Sequence, residues 1–306
     1  MKKESFLFSK ETDSHRFYID MQIVQKADGT TENFDEQKVR FSMQRAGIPK
    51  ALEEKVLAHI KDRYYPGIQT WEIYLHINEF LSKSSHPYSR SRYSLKQAIM
   101  MLGPTGYPFE DFVSAVMQAH GYKTEVRQIL SGKCVTHEVD ILAEKSGKRI
   151  MIEAKFHNNP GNRSDIHVAL YTKARFDDAK VKNTLSEGWL VTNTKATVDA
   201  IAYAACENLK IVSWGYPMGE SLRDLIEKYT LYPITMLATL SMSQKAQLLQ
   251  HHVILCKEIC AKPELLSIIS LSHDEKKRTM EEIHYICQEE HAADQPHTES
   301  HITLAS

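Results

Sequence analysis

Two stretches in the middle of this 306-residue chain combine acids, an amine and apolar residues in a way that ordinary strands avoid. One is His137-Glu138-Val139-Asp140-Ile141-Leu142-Ala143; the other is Ile150-Met151-Ile152-Glu153-Ala154-Lys155-Phe156. Strand alternation puts Glu153 and Lys155 on one face and Ile152 and Ala154 on the other. If Asp140 pairs across from Glu153, two carboxylates converge beside a lysine. Such a pair suits Mg²⁺, a hard ion that takes carboxylate, water and phosphate oxygens. Lys155 would orient or deprotonate an attacking water and offset charge on a pentacovalent phosphorus. An edge-strand ion pair of Glu153 with Lys155 is the bland alternative. It is worth little energy and accounts neither for Asp140 nor for the apolar flanks. His137 and His157 flank the motif and read as hydrogen-bonding histidines rather than catalysts. Whether His137 and Glu138 join the site is open.

The elements that must position these residues follow from pattern and punctuation. The densest turn cluster, Gly103-Pro104-Thr105-Gly106-Tyr107-Pro108, marks a domain boundary. Beyond it come a helix (Phe109–His120), strands (Lys123–Leu130, Glu138–Glu144, Arg149–Phe156) and a helix (Ile166–Lys182). A strand (Glu187–Thr192), a helix (Ala196–Glu207) and a strand (Lys210–Ser213) complete a mixed sheet covered on both faces. Ahead of the boundary, Ile19–Lys26 and Thr31–Phe34 form a hairpin about Asp28-Gly29, the residue pair that a tight two-residue turn favours. Asp35 caps a helix ending at Gly47; helices Leu52–Asp62, Thr70–Ser82 (Thr70 as N-cap) and Tyr93–Leu102 follow. From Leu222 onward the text is helical, with capping-box spacings at Ser241/Gln244 and Ser272/Glu275. The expected division is therefore 1–17, a flexible N-terminus; 18–103; 104–220; 221–290, helical; and 291–306, a polar tail.

The acid–acid–lysine spacing resembles the PD-(D/E)xK nuclease superfamily, and residues 108–214 resemble its Mrr-type restriction endonuclease branch. Phe109-Glu110, then Gly121-Tyr122, look like that branch's first helix and its turn into the first strand. Gly188-Trp189-Leu190-Val191-Thr192-Asn193 and Ala200-x-x-Tyr203-Ala204 look like its later strand and helix. The resemblance implies a restriction-endonuclease-like α/β/α core in which Glu110, Asp140 and Glu153 hold Mg²⁺ and Lys155 assists catalysis. It implies hydrolysis of phosphodiester bonds in double-stranded DNA. Arg163, Asp165, Lys173, Arg175, Lys180 and Lys182 surround the helix after the catalytic strand, either as phosphate contacts or as a solvated face.

The front part, through Val24-x-Lys26-x-Asp28-Gly29, Phe34-Asp35-x-x-Lys38 and Ala46-Gly47, resembles the ATP-cone, a small nucleotide-binding regulatory domain. That implies ATP or dATP held by Lys26 and Lys38 at the phosphates and by Val24 and Phe34 at the base. Thr70 and His76 would lie on the helix that closes over the ligand. Ala27 stands where the family commonly has Arg. No phosphate-binding G-x-x-x-x-G-K-[ST] loop occurs, so the nucleotide is expected to regulate rather than to be hydrolysed.

Composition fits these readings. The chain is 42% hydrophobic and 25% charged, with 38 Lys+Arg against 39 Asp+Glu. No run of about 18 apolar residues offers a membrane span. Five cysteines without a C-x-x-C pair suit reduced thiols and a cytoplasmic setting. The near-zero net charge conceals segregation: residues 83–182 hold 16 basic and 10 acidic side chains, and residues 274–300 hold 3 and 8. In the tail, the Gln250-His251-His252 turn has no glycine, so packing or oligomerisation is expected there rather than DNA contact. The whole reads as an α+β and α/β multidomain, homo-oligomeric DNA endonuclease of restriction or defence type under purine-nucleotide control. Its rivals are a nucleotide-controlled DNA-binding regulator that does not cleave, and a repair or structure-specific nuclease.

Overall fold

The computed structural model describes residues 23–84 and 88–287. The expected flexible N-terminus, the start of the Ile19–Lys26 strand and the polar tail lie outside these residues.

In the front body, β1 (Ile23–Gln25) pairs antiparallel with β2 (Thr31–Asn33). The turn between them is not the two-residue form that Asp-Gly suggests. Only Gly29 has a positive φ (82°), and Lys26 N–H donates to the Thr30 carbonyl at 2.8 Å. Ala27-Asp28-Gly29 is thus a three-residue loop with glycine in the left-handed position. Asp28 closes it by accepting from Thr30 N–H at 3.1 Å and Thr30 Oγ1 at 2.6 Å. A third strand, β3 (Ile68–Gln69), adds to β1 in parallel; at two residues it carries no periodicity to read. Helix α1 (Glu36–Arg45) starts from the Asp35 side chain, which accepts from Gln37 N–H at 2.8 Å. Helix α2 (Lys50–Arg63) follows, and α3 (Thr70–Ser82) is capped by Gln69 rather than Thr70. Val24, Met43, Val56, Leu57, Ile60, Ile73, Ile77 and Leu81 make the core of this body.

The expected Tyr93–Leu102 helix is two short ones, α4 (Ser89–Tyr93) and α5 (Leu95–Met100), broken at Ser94. Leu95, Ala98, Ile99 and Leu102 belong to the core of the second body. That body holds α6 (Tyr107–Ala119), β4 (Lys123–Ser131), β5 (Thr136–Lys145), β6 (Lys148–Lys155), β7 (Arg163–Ser164) and α7 (Ile166–Asn183). It continues with β8 (Glu187–Thr192), β9 (Lys195–Ala196), α8 (Val198–Cys206) and β10 (Leu209–Val212). Its five-stranded sheet runs β10-β8-β6-β5-β4, antiparallel on the β4 side and parallel from β6 to β10. Strand alternation divides the apolar residues between the faces. Ile141, Ala143, Ile150 and Ile152 meet Phe109, Phe112, Val113 and Val116 of α6. Leu142 and Met151 meet Phe176 and Ala179 of α7, and Leu190 and Ile211 meet Ala169, Ala200 and Ala204. The mixed sheet is therefore covered on both faces.

The C-terminal helices are α9 (Leu222–Lys228), α10 (Met242–Gln250), α11 (Cys256–Ala261) and α12 (His273–Cys287), with 3₁₀ turns at Ile234–Met236 and Pro263–Ile268. Both capping boxes form: Ser241 with Gln244, and Ser272 with Glu275. Ile234, Leu248, Ile259 and Ile283 share one continuous core with the α6 face of the sheet.

Candidate active site at the strand ends

Asp140 sits where the sheet loses its regularity. The β4–β5 ladder runs through Val126↔Ile141 and resumes at Gln128↔Val139, omitting the Arg127–Asp140 pair, and Arg127 has a φ of 54°. The β5–β6 ladder stops at Ile141↔Ile152. Beyond it, Asp140 Oδ2 accepts the Ala154 N–H at 2.7 Å, a side chain replacing a backbone partner. Side-chain alternation slips at the same point: Val139 and Leu142 both pack on α7, while Ile141 packs on α6. The splay leaves the Asp140 carboxylate between the two strands.

Glu153 follows Ile152 on β6 and turns toward α7, where the Arg175 guanidinium pairs with it. The same guanidinium donates to the Glu138 carbonyl and lies over the Tyr171 ring, 5.2 Å from its centroid. Arg175 is the site residue that local pattern missed. From its place in a basic helix it reads as a phosphate contact. Only the packing of α7 on the sheet brings it to an acid 22 positions earlier.

Glu110 approaches from the first turn of α6, behind Gly106, whose φ of 85° starts that helix. Arg127 bridges the two α6 acids, reaching Glu110 at 3.1 Å and Asp111 at 2.8 Å, and His252 completes the row on Asp111 at 3.1 Å. Burial raises the Glu153, Asp140 and Glu110 carboxylic acids above their ordinary range. The neighbouring Asp140 charge adds to this for Glu153 and Glu110. Three acids from three elements therefore feel one another in a partly dry setting. Lys155 is exposed at the end of β6 and makes no ion pair among the described residues.

The flanking histidines serve structure. His137 Nε2 pairs with Asp178 at 2.8 Å, and Asp178 also accepts Cys134 N–H at 2.8 Å, so this pair anchors the β4–β5 turn on α7. His157 Nε2 meets Ser164 Oγ at 3.0 Å. Its backbone is clipped to Asn193, which accepts the His157 N–H at 2.8 Å and donates to its carbonyl at 2.9 Å. Lys96 donates to the Asn193 carbonyl and lies 4.5 Å from the Trp214 ring centroid; burial pushes its ammonium down to about 7. Of the other basic residues near α7, Lys173 and Lys180 pair with Asp177, and Arg163 pairs with Asp28 of the front hairpin. Asp165 is the N-cap of α7.

In the front body, Val24, Phe34, Lys38 and Thr70 line a cavity of about 250 Å³ together with Ile73, Tyr74 and Tyr93. Lys26 and Lys38 share Glu32, at 2.7 and 2.9 Å. Lys26, Ala27, Asp28 and Thr70 also line a cavity of about 280 Å³ toward the second body, opposite Pro160, Gly161, Arg163 and Lys195. His76 stands apart from both cavities, beside His59.

Comparison with known proteins places this arrangement in a class and then in a family. Residues 103–215 match the Mrr catalytic family, described as restriction endonuclease. Residues 232–287 match the family described as AF1548-like, C-terminal. An uncharacterised protein of Archaeoglobus fulgidus is 35% identical over 171 residues, 56% of this chain and 97% of that protein. A solved structure described as AF1548, a protein of unknown function, superposes with a TM-score of 0.51 at 34% identity, covering 60% of this chain and 96% of that one. This chain belongs to the AF1548-like family. The MspJI restriction endonuclease, solved with a 27-mer oligonucleotide, is 14% identical at a TM-score of 0.34 over 65% of this chain and 42% of its own. That likeness is too loose to argue from.

Proposed function

We propose that the chain is a Mg²⁺-dependent endonuclease of double-stranded DNA, of restriction or defence type, whose front body binds ATP or dATP. The observation that carries the reading is the splay at Asp140. It sets an aspartate, Glu153 and the free amine of Lys155 at adjoining strand ends, within a stretch that matches the restriction endonuclease family. The donor set fits the ion: carboxylates alone, from Asp140 and Glu153 with Glu110 at the edge, all raised by burial even with Arg175 on Glu153 and Arg127 on Glu110. Mg²⁺ at that position would polarise a phosphate oxygen and acidify water. Lys155 would hold and orient the attacking water and face the developing negative charge on phosphorus. Arg175, which pairs with Glu153, would compete with the cation for that carboxylate.

The cavity lined by Val24, Phe34, Lys38 and Thr70 supports the ATP-cone reading of the front body. Ala27 leaves the hairpin one cation short, and Arg163 and Lys195 of the second body line the other cavity, opposite Lys26 and Ala27. The hairpin grips the loop after the catalytic strand through Asp28–Arg163, and a Cβ on Gly161 would come within 2.3 Å of the Ala27 carbonyl oxygen. A ligand that shifts the hairpin would act on residues 156–165 and thereby on Lys155. One such constellation cuts one strand, so scission of a duplex calls for a homo-oligomer.

Purified protein incubated with Mg²⁺ and unmethylated, methylated or branched DNA, with and without each nucleotide, tests the proposal. Cleavage lost in Asp140→Ala is the expected result. DNA bound but left intact by both proteins favours the non-cleaving regulator. Cleavage confined to branched DNA favours the repair nuclease.

A further inference from the structure

His76, expected on the helix that closes over the nucleotide, lines neither cavity and belongs instead to a second constellation. It lies one helical turn before Glu79 on α3, so the two side chains share a face. His59 of α2 faces them. One ligand atom from each of His59, His76 and Glu79 lies within 4.8 Å of the others, and His59 Nε2 is 4.0 Å from Glu79 Oε2. His59 Nε2 is buried and has no hydrogen-bond partner among the described residues, which is a costly state for a polar atom inside a helical pair. The His76 ring makes no hydrogen bond among the described residues. Glu79 gives its other oxygen, Oε1, to Lys83 at 2.8 Å, leaving Oε2 directed at the histidines.

We propose that His59, His76 and Glu79 bind a divalent transition-metal cation of the zinc class, joining α2 to α3. Two imidazoles and one carboxylate are the donors that zinc takes in three-ligand protein sites, with a fourth position left for water. Nitrogen donors disfavour Mg²⁺ here, so this site and the carboxylate cluster at Asp140 select different ions. Tetrahedral coordination at about 2.0 Å sets donors about 3.3 Å apart, so the three atoms must close by about 1 Å. One contact opposes loading: Arg63 Nη1 donates to His59 Nδ1 at 3.0 Å and fixes the proton on Nε2. A metal on Nε2 requires that proton to move to Nδ1, so Arg63, on the exposed side of α2, must swing away. Arg63 thereby sets the affinity of the site.

Titration of the full-length chain with Zn²⁺ by calorimetry, and with Co²⁺ by visible absorption, tests the assignment. The expected result is one tight equivalent of Zn²⁺ that weakens at least tenfold in His59→Ala and in His76→Ala. It persists in Asp140→Asn and tightens several-fold in Arg63→Ala. A Co²⁺ complex with visible bands should form in the wild type and not in His76→Ala. Zinc uptake that is absent, or equal in the wild type and both histidine variants, overturns the proposal, as does an Arg63→Ala affinity that is unchanged or weaker. Should His59→Ala fail to fold, histidine ring resonances of the wild-type chain decide: zinc must move those of two histidines, and zinc that moves fewer than two overturns the site.

Discussion

At the residue scale, the candidate active site turns on a contest for Glu153. The competitor of a cation there is Arg175, and burial with the Asp140 charge holds the Glu153 acid above its ordinary range. The sign of the pH effect follows. An unfolded chain releases this proton near the ordinary carboxylate value and the folded chain releases it later. Between the two values the folded state holds more protons, and stability falls as pH rises through that window. A bound cation reverses the preference, because it needs the ionised acid. Thermal melts should therefore show a larger Mg²⁺-induced rise in Tm at about pH 8 than at about pH 5, and Glu153→Gln should abolish the difference. An equal rise at both pH values contradicts the assignment of Glu153 to the metal. Lys155, exposed and without an ion pair among the described residues, should be replaceable by Ala with little change in Tm but a loss of about 10²-fold or more in cleavage rate. A cleavage rate within a few-fold of wild type removes Lys155 from the chemistry.

At the element scale, two joints determine how the pieces act on one another. The first is the hairpin on the loop after β6. Gly161 leaves no room for a side chain against Ala27, and Arg163 closes the contact on Asp28. Gly161→Ala and Arg163→Ala should each leave basal cleavage near wild type while erasing the effect of ATP or dATP. A nucleotide response that survives both substitutions shows that coupling takes another route. The second joint is Glu282 of α12, fully buried, which accepts Ala238 N–H at 2.7 Å, Thr239 N–H at 2.9 Å and the Ser91 hydroxyl. It fastens α4, the loop after the first 3₁₀ turn and the last helix together. Glu282→Ala empties a buried site and takes the acceptor from two backbone amides and the buried Ser91 hydroxyl, and chemical denaturation should register a loss of about 3 kcal/mol. A loss below about 0.5 kcal/mol contradicts this role.

At the scale of the whole molecule, the sheet and the C-terminal helices are one cooperative unit, because Ile234, Leu248, Ile259 and Ile283 continue the core of the α6 face. A chain ending near residue 220 exposes that face and should aggregate rather than yield a separate nuclease. A soluble, melting fragment contradicts a shared core. The front body has its own core and is tied on by Arg45, which pairs with Asp224 at 2.7 Å and with Glu227, as well as by the Asp28–Arg163 contact. Charge, too, is decided at this scale. The basic surplus of residues 83–182 is partly spent inside the fold, since Arg163, Lys173, Arg175 and Lys180 all have acidic partners. Six exposed cations of that stretch, Arg90, Lys123, Lys133, Lys145, Lys155 and Lys182, have no acidic partner among the described residues and stay available to phosphates. DNA affinity should therefore fall as salt rises from about 50 to about 200 mM, by up to ~10³-fold if all six reach the backbone, and an affinity that does not change with salt contradicts phosphate contact.

Local information settled a definite part of this protein. Alternating apolar residues fixed the strands on either side of Asp140, Asp35 and Ser241 announced helix starts through their own side chains, and the spacing of Glu153 and Lys155 put both at one strand end. Each of these depends on neighbours within a few positions, where backbone geometry and hydrogen bonding act directly. The three-residue hairpin loop, the break at Ser94 and the two-residue β3 escaped, because turn geometry and short pairings depend on what the flanking elements pack against. Tertiary structure alone decided the rest: the splay that frees Asp140, Arg175 arriving from α7, His137 turned to Asp178, His76 set beside His59, and one core shared by the sheet and the last helices. Those contacts join residues far apart in the chain. Which of them form depends on how whole helices dock on the sheet, and that is set by the summed burial of many side chains rather than by any local spacing.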